Sequence, residues 1–164
     1  MNTLTKSRDH DVLRLEQRAG EMITLVVMAL FLAFLVDHQT ANTGFFTAKF
    51  GILEAMCLYV PLILAFIAPA IRASTGRRNP ARPFEVVTSV LLALGSLWLL
   101  MVFPFNFAHL ADALPSPLHF LLAWVPDSLG KLLLLLQVII SPISALLAGL
   151  RFLSVRDHHP VTVG

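Results

Sequence analysis

Four long apolar runs, separated by short polar or proline-rich connectors, make up most of this chain. Residues 22–36 are apolar apart from Thr24, and with Ala19 and Gly20 the run reaches the roughly 20 residues that a transmembrane helix needs, so a first span is expected over 19–36. A second covers 50–71 and contains one ionisable residue, Glu54. Residues 72–82 hold four arginines with Gly76, Asn79 and Pro80, a composition that reads as a tight polar turn outside the hydrocarbon. A third span follows over 85–103 and stops at Pro104, where a helix would lose a backbone bond. Asp127 or Ser128 is placed to cap a fourth, 129–153.

Residues 104–127 are also apolar, but Pro104, Pro115, Pro117 and Pro126 divide them into pieces too short to cross a bilayer. Two interfacial or re-entrant helices are expected there, 105–114 and 118–124, with Phe120 and Trp124 at headgroup depth. The polar, mixed-charge residues 1–21 predict a short surface helix from Asp11 onward and an uncleaved anchor rather than a signal peptide. The fold class is therefore an all-α integral membrane protein. One domain, 1–164, carries four transmembrane helices in a bundle, with short interfacial or re-entrant helices between helices three and four.

Composition narrows the choice further. Of 164 residues 57% are apolar and 13% charged, half the charge of an ordinary soluble domain, and the mean hydropathy is +0.78. A water-soluble globule is excluded, and four spans leave only short connectors, with no room for an extramembrane domain. The net charge of +2 matters less than its distribution. Lys6, Arg8, Arg14 and Arg18, then Arg72, Arg77, Arg78 and Arg82, then Arg151 and Arg156 all fall on one side of a four-span chain, and only Lys49 and Lys131 on the other. Short cytoplasmic loops carry the basic excess, so both termini are expected in the cytoplasm of a cell whose plasma (inner) membrane holds the protein.

The polar inventory is thin. Cys57 is the only cysteine, which excludes an intramolecular disulfide, a cysteine-based zinc site and disulfide-shuttling chemistry. No Walker, Rossmann, HExxH, GxSxG or deaminase motif occurs, and the serines of the spans have no histidine beside them. His10, His158 and His159 lie on the cytoplasmic side and His38, His109 and His119 outside, none within an expected span, which excludes haem held between helices. Asp37, His38, His109, Asp112 and His119 offer ligand atoms but match no metal spacing. No metal, no cofactor and no enzymatic activity are expected.

Within the spans, Gln137, Ser141, Ser144 and Ala148 share one face of the fourth helix, and Glu54, Leu58, Pro61, Ala65 and Ala68 one face of the second. Such stripes serve as helix-packing contacts, with a kink expected at Pro142. Ser89, Ala93 and Ser96, beside Gly95, are the corresponding set in the third span. Glu54 is expected to anchor the outer end of its helix by pairing with Lys131. The sharper reading makes Glu54, Gln137, Asn106 and Ser141 candidate ligand or ion contacts of an outer-leaflet space. Arg72, Arg77, Arg78 and Arg82 are expected to contact anionic lipid headgroups rather than nucleic acid. The function this favours is a non-enzymatic accessory, assembly or structural subunit of a membrane complex. A small transporter or channel, and a lipid- or quinone-binding membrane protein, are the alternatives. The expected partners are membrane lipids, with other membrane subunits or further copies of the chain.

Overall fold

The computed structural model describes the backbone of residues 12–156 and the side chains of residues 12–150, so the start of the surface helix expected from Asp11 and the tail beyond Arg156 lie outside the described residues. Among the described residues the chain is helical, with four helices long and apolar enough to cross a membrane and no strand beyond two isolated bridges.

Helix α1 (Leu15–Thr40) extends about a turn beyond the expected 19–36 at both ends. Local polar groups support the extra turns: the Arg14 N–H donates to Gln17 Oε1 at 3.1 Å, and the Ala41 N–H closes on the Asp37 carbonyl at 2.9 Å. His38 consequently lies inside a helix and is 1% exposed, which corrects the expectation of a histidine in an outer connector.

The second apolar run, expected over 50–71, is one membrane-length stretch, Ile52–Thr75, made of two helices, α2 (Ile52–Leu64) and α3 (Ile67–Thr75). Pro69 has no N–H for the Ala65 carbonyl and its ring crowds that oxygen, so regular helix lapses at Ala65 and Phe66 and resumes at Ile67. Pro61, inside α2, likewise leaves the Cys57 carbonyl without its donor one turn on. The end of α3 is closed by Gly76, whose φ of +65° suits a residue with no Cβ and whose N–H reaches the Arg72 carbonyl at 2.9 Å. Arg72 thus belongs to α3, and Arg82 opens α4 (Arg82–Val102), so the polar turn is shorter than 72–82.

Phe103 ends α4 in the left-handed region (φ +41°), a conformation that costs a residue with a side chain about 1–2 kcal/mol. Its ring is held against Phe105 and Phe107, with the Lys131 ammonium 4.7 Å from its centre. Between the last two spans, 3-10 turns at Phe107–His109 and Ser116–Leu121 take the place of the longer helices expected over 105–114 and 118–124. Helix α5 (Asp127–Arg156) runs on through Pro142.

Each membrane-length stretch packs on the next in sequence, α1 on α3, α2 on α4, and α4 most extensively on α5. Among the described residues α1 and α5 share no extensive contact. On the second run Glu54, Pro61 and Ala68 are buried, and on α5 Ser141 and Ala148, whereas Ser144 is exposed. The buried positions of α4 are Thr88, Gly95, Ser96 and Leu99, so Gly95 and Ser96 of the expected set are buried while Ser89 and Ala93 are only half-buried. Added Cβ atoms show how close α2 and α4 come, because one built on Gly95 would overlap the Cys57 carbonyl.

One end of the bundle is tied by loops. The Thr47 N–H donates to the Pro104 carbonyl at 3.0 Å and the Asn106 N–H to the Phe45 carbonyl at 2.7 Å, pairing the first and third connectors around Phe46 and Phe105. Phe45, Phe46, Phe50, Phe103, Phe105 and Phe107 form an aromatic cluster beneath this pairing, and it contains much of the buried apolar core. At the opposite end the Leu13 N–H meets the Gly76 carbonyl at 2.8 Å, which sets the start of α1 beside the end of α3.

Candidate functional site

The polar groups of the described residues gather in three places, and the largest lies at the Gly76 end. The start of α1 is fixed there by Arg18, whose guanidinium donates to the carbonyls of Ala73 (3.0 and 2.8 Å) and Ser74 (3.2 Å), left without partners by the ending of α3. One turn further along α1, Glu21 faces Arg72. The two form a fork, Nε to Oε1 at 2.7 Å and Nη2 to Oε2 at 2.9 Å, and Nη1 of the same guanidinium donates to Glu85 in the first turn of α4. Arg72 thus ties three helices together. Its side chain is 19% exposed, so the contact is largely shielded from water.

This triad forms one wall of a 750 Å³ cleft. Arg78 and Arg82 also line it, and Ser144, Leu147 and Ala148 contribute from α5. Among the described residues the lining holds three arginines and two glutamates. Of the four arginines expected at lipid headgroups, Arg72 is engaged by carboxylates of the chain itself, Arg78 and Arg82 line the cleft, and Arg77 is exposed outside it. Neither Glu21 nor Glu85 stood out in the sequence as a site residue. The signal was their position: each acid sits where an apolar run meets a basic segment, and such a charge needs a partner.

The second place is Glu54, buried between α2 and α4. Its carboxylate accepts from the Gly51 N–H at 3.0 Å, closing the first turn of α2, and from Trp98 Nε1 at 3.1 Å. The expected pairing with Lys131 is replaced by these two bonds, because Lys131 lies over the Phe103 ring. Helix rotation decides this outcome: α2 turns Glu54 toward α4, not toward the start of α5.

The outer sequence candidates do not converge. Gln137 Nε2 donates to Ser141 Oγ, one turn along its own helix, at 2.7 Å. Asn106 Oδ1 accepts from the Ala108 N–H at 3.2 Å, and the residue lines a separate pocket of 440 Å³ with Trp124 and Asp127, which neither Glu54 nor Gln137 lines. Asp127 accepts from the Phe107 N–H at 2.8 Å and so ties the cap to the start of α5.

The third place is the histidine-bearing cap. His38 Nε2 bonds the Leu110 carbonyl at 3.1 Å, His38 Nδ1 meets Thr43 Oγ1 at 2.6 Å, and the ring packs between Phe34 and Phe45. His109 pairs with Asp112 at 2.8 Å, and His119 bonds the Leu114 carbonyl at 2.8 Å. The three rings serve separate loops, and among the described residues no three His, Cys, Asp or Glu side chains are grouped to hold a metal ion.

These contacts define a class only at the level of architecture: a helical chain with four membrane-length helices, a charged cleft at one end and an aromatic cap at the other. No protein family, curated protein or solved structure matches it.

Proposed function

We propose that this chain is a non-enzymatic membrane protein, an accessory or structural subunit of a membrane complex, seated in the plasma (inner) membrane with both termini cytoplasmic. In this arrangement the cleft and its arginines lie at the inner face, and residues 104–127 cover the outer face at interfacial depth. One observation carries the reading. Glu54 and Gln137, the polar candidates within the apolar runs, are occupied in structural ties, Glu54 with Trp98 and Gly51 and Gln137 with Ser141, as Arg72 is with Glu21 and Glu85. A transport pathway or a catalytic centre needs such groups facing a shared space. The apolar stretches of α1 and α5 are each only 6% buried within the chain, which leaves most of both helices to lipid or to partner helices.

Topology is tested by single cysteines in a Cys57→Ala background. Ala48→Cys and Ser116→Cys should react with an impermeant maleimide added outside intact cells, and Ser74→Cys only after permeabilisation. Outside labelling at Ser74 would overturn the orientation. Purification in a mild detergent should give a particle heavier than the 18.1 kDa chain with its bound detergent. A lone chain in detergent and in nanodiscs alike would overturn the subunit assignment.

The transporter alternative predicts a different result. Reconstituted vesicles should show no protein-dependent ion or solute flux at any pH, and Glu54→Gln and Gln137→Leu should change nothing. A pH-dependent flux lost in both variants, with the amount of folded protein unchanged, would replace the structural reading with a transport one.

A further inference from the structure

We infer that the groove between α2 and α4 holds a phospholipid with a primary-ammonium headgroup, an ethanolamine lipid, whose ammonium meets the Glu54 carboxylate and whose acyl chain lies along the groove. The inference rests on the membrane-spanning reading alone and not on the subunit role.

Glu54 is a shielded charge whose hydrogen-bond donors are neutral. The residue is 9% exposed, and its carboxylate accepts from the Gly51 N–H and from Trp98 Nε1. Neutral donors and the start of a helix stabilise a carboxylate without cancelling its charge. Among the described residues no ion pair includes Glu54, and Lys131, the cation expected for it, lies over the Phe103 ring. A carboxylate within a membrane helix is costly and calls for a partner. There is also room for one, since two carboxylate oxygens offer about four acceptor positions, more than these two donors fill.

From the contact of Glu54 with Trp98 an apolar groove of 340 Å³ runs along the two helices, with Leu53, Met56 and Val60 of α2 on one side and Leu91, Leu94 and Trp98 of α4 on the other. Leu53 and Val60 are two helical turns apart, so the groove is about 10 Å long. That is most of the roughly 15 Å of hydrocarbon in one leaflet. Gly95 and Cys57 also line it, and there the two helices touch, so the furrow is narrow. It suits a single acyl chain better than a helix about 10–12 Å wide. Glu54 lies in the first turn of α2 and Trp98 in the last turns of α4, which sets charge at the helix ends and apolar surface further in, the order of a lipid. The charge also selects the headgroup. An ethanolamine ammonium brings three N–H donors to the carboxylate, a choline brings none, and a glycerol headgroup leaves its phosphate to be repelled.

The test is native mass spectrometry of the full chain in mild detergent, equilibrated with equal amounts of phosphatidylethanolamine, phosphatidylcholine and phosphatidylglycerol. One phosphatidylethanolamine should be retained in preference to the other two. Glu54→Gln should weaken that retention by about tenfold or more, and Asp37→Asn, at an exposed acid of the same end, by less than about twofold. Leu94→Trp, which fills the groove from an exposed position, should weaken it with Glu54 intact. Equal retention of the three lipids, equal loss in Asp37→Asn, or full retention in Leu94→Trp would overturn the site. If Glu54→Gln fails to fold, the unaltered chain decides: retention should fall as the ethanolamine nitrogen is methylated once and then twice, and reach the phosphatidylcholine level at the third methyl. A flat series would again overturn it. Millimolar glycerophosphoethanolamine has the headgroup without the chains and should leave the lipid in place; displacement would assign Glu54 to a soluble amine and refute the lipid assignment. Failure of the membrane reading would look different, because the chain would then not reconstitute into vesicles at all.

Discussion

Replacing Arg72 with leucine should destabilise the protein by about 3 kcal/mol, near the lower end of the range for breaking a shielded ion pair. The reason lies in what is left behind. Glu21 and Glu85, with side chains 18% and 32% exposed, would face each other across the space the guanidinium filled. Each keeps most of its desolvation cost, and their mutual repulsion is added. Three helices would lose their shared contact at once, so unfolding in detergent, followed by tryptophan fluorescence or by cysteine accessibility at Cys57, should begin at clearly lower temperature. Arg72→Lys should fall between, at about 1 kcal/mol, since a point charge replaces one fork and one single bond. Adding Glu21→Gln and Glu85→Gln to the leucine variant should recover most of the loss. A leucine variant as stable as the parent would mean that the triad is a solvated surface feature.

Gly95→Ala should also be damaging, by about 1–3 kcal/mol, although it adds a single methyl group. The new Cβ would overlap the carbonyl oxygen of Cys57, and a backbone atom cannot swing aside as a side chain can. Relief requires α2 and α4 to move apart, which would also disturb the hydrogen bond from Trp98 to Glu54 one turn away. Gly95→Leu should prevent folding. Gly20→Ala is the control with the opposite sign: nothing lies within 4 Å of its added Cβ, so the better helix former should stabilise α1 by roughly 0.5–1 kcal/mol. Equal melting of the Gly95 and Gly20 variants would show that α2 and α4 are not in close contact.

These two cases separate what could be read from the chain from what could not. The spans were readable because the length of an apolar run and the placement of arginines and prolines are one-dimensional signals. The division of the second run was present in the sequence as Pro69, but its position near the end of the run hid a break one turn earlier, at Ala65. Rotation of the helices was not readable. In water a polar face marks the outside, whereas in lipid both faces are apolar and small or polar residues hint only weakly at contacts. Hence Glu54 was assigned to Lys131 and is bound instead to Trp98, and the buried face of α4 runs through Thr88, Gly95, Ser96 and Leu99. The stripes on α2, α3 and α5 were nearer the mark, because proline and serine at helical spacing single out one face more strongly than leucine or alanine do. The aromatic cap escaped for another reason. Phe45 and Phe46 sit among turn-forming residues, and their partners lie some sixty positions later, so no local pattern announces the pairing.

That distance also sets an order of assembly. Because each membrane-length stretch packs on the next in sequence, the stretches can assemble one after another, and each finds most of its contacts already in place. The ties of Phe45 to Asn106 and of His38 to Leu110 are different, since their later halves emerge only after α4 is complete. Until then the far end of α1 is tied through the Tyr59 hydroxyl, which donates to Gln39 Oε1 at 2.7 Å, while His38 and Phe45 remain unmatched. The cap is therefore the last latch to close, and a chain stalled before residue 105 would hold its first three helical stretches together without it.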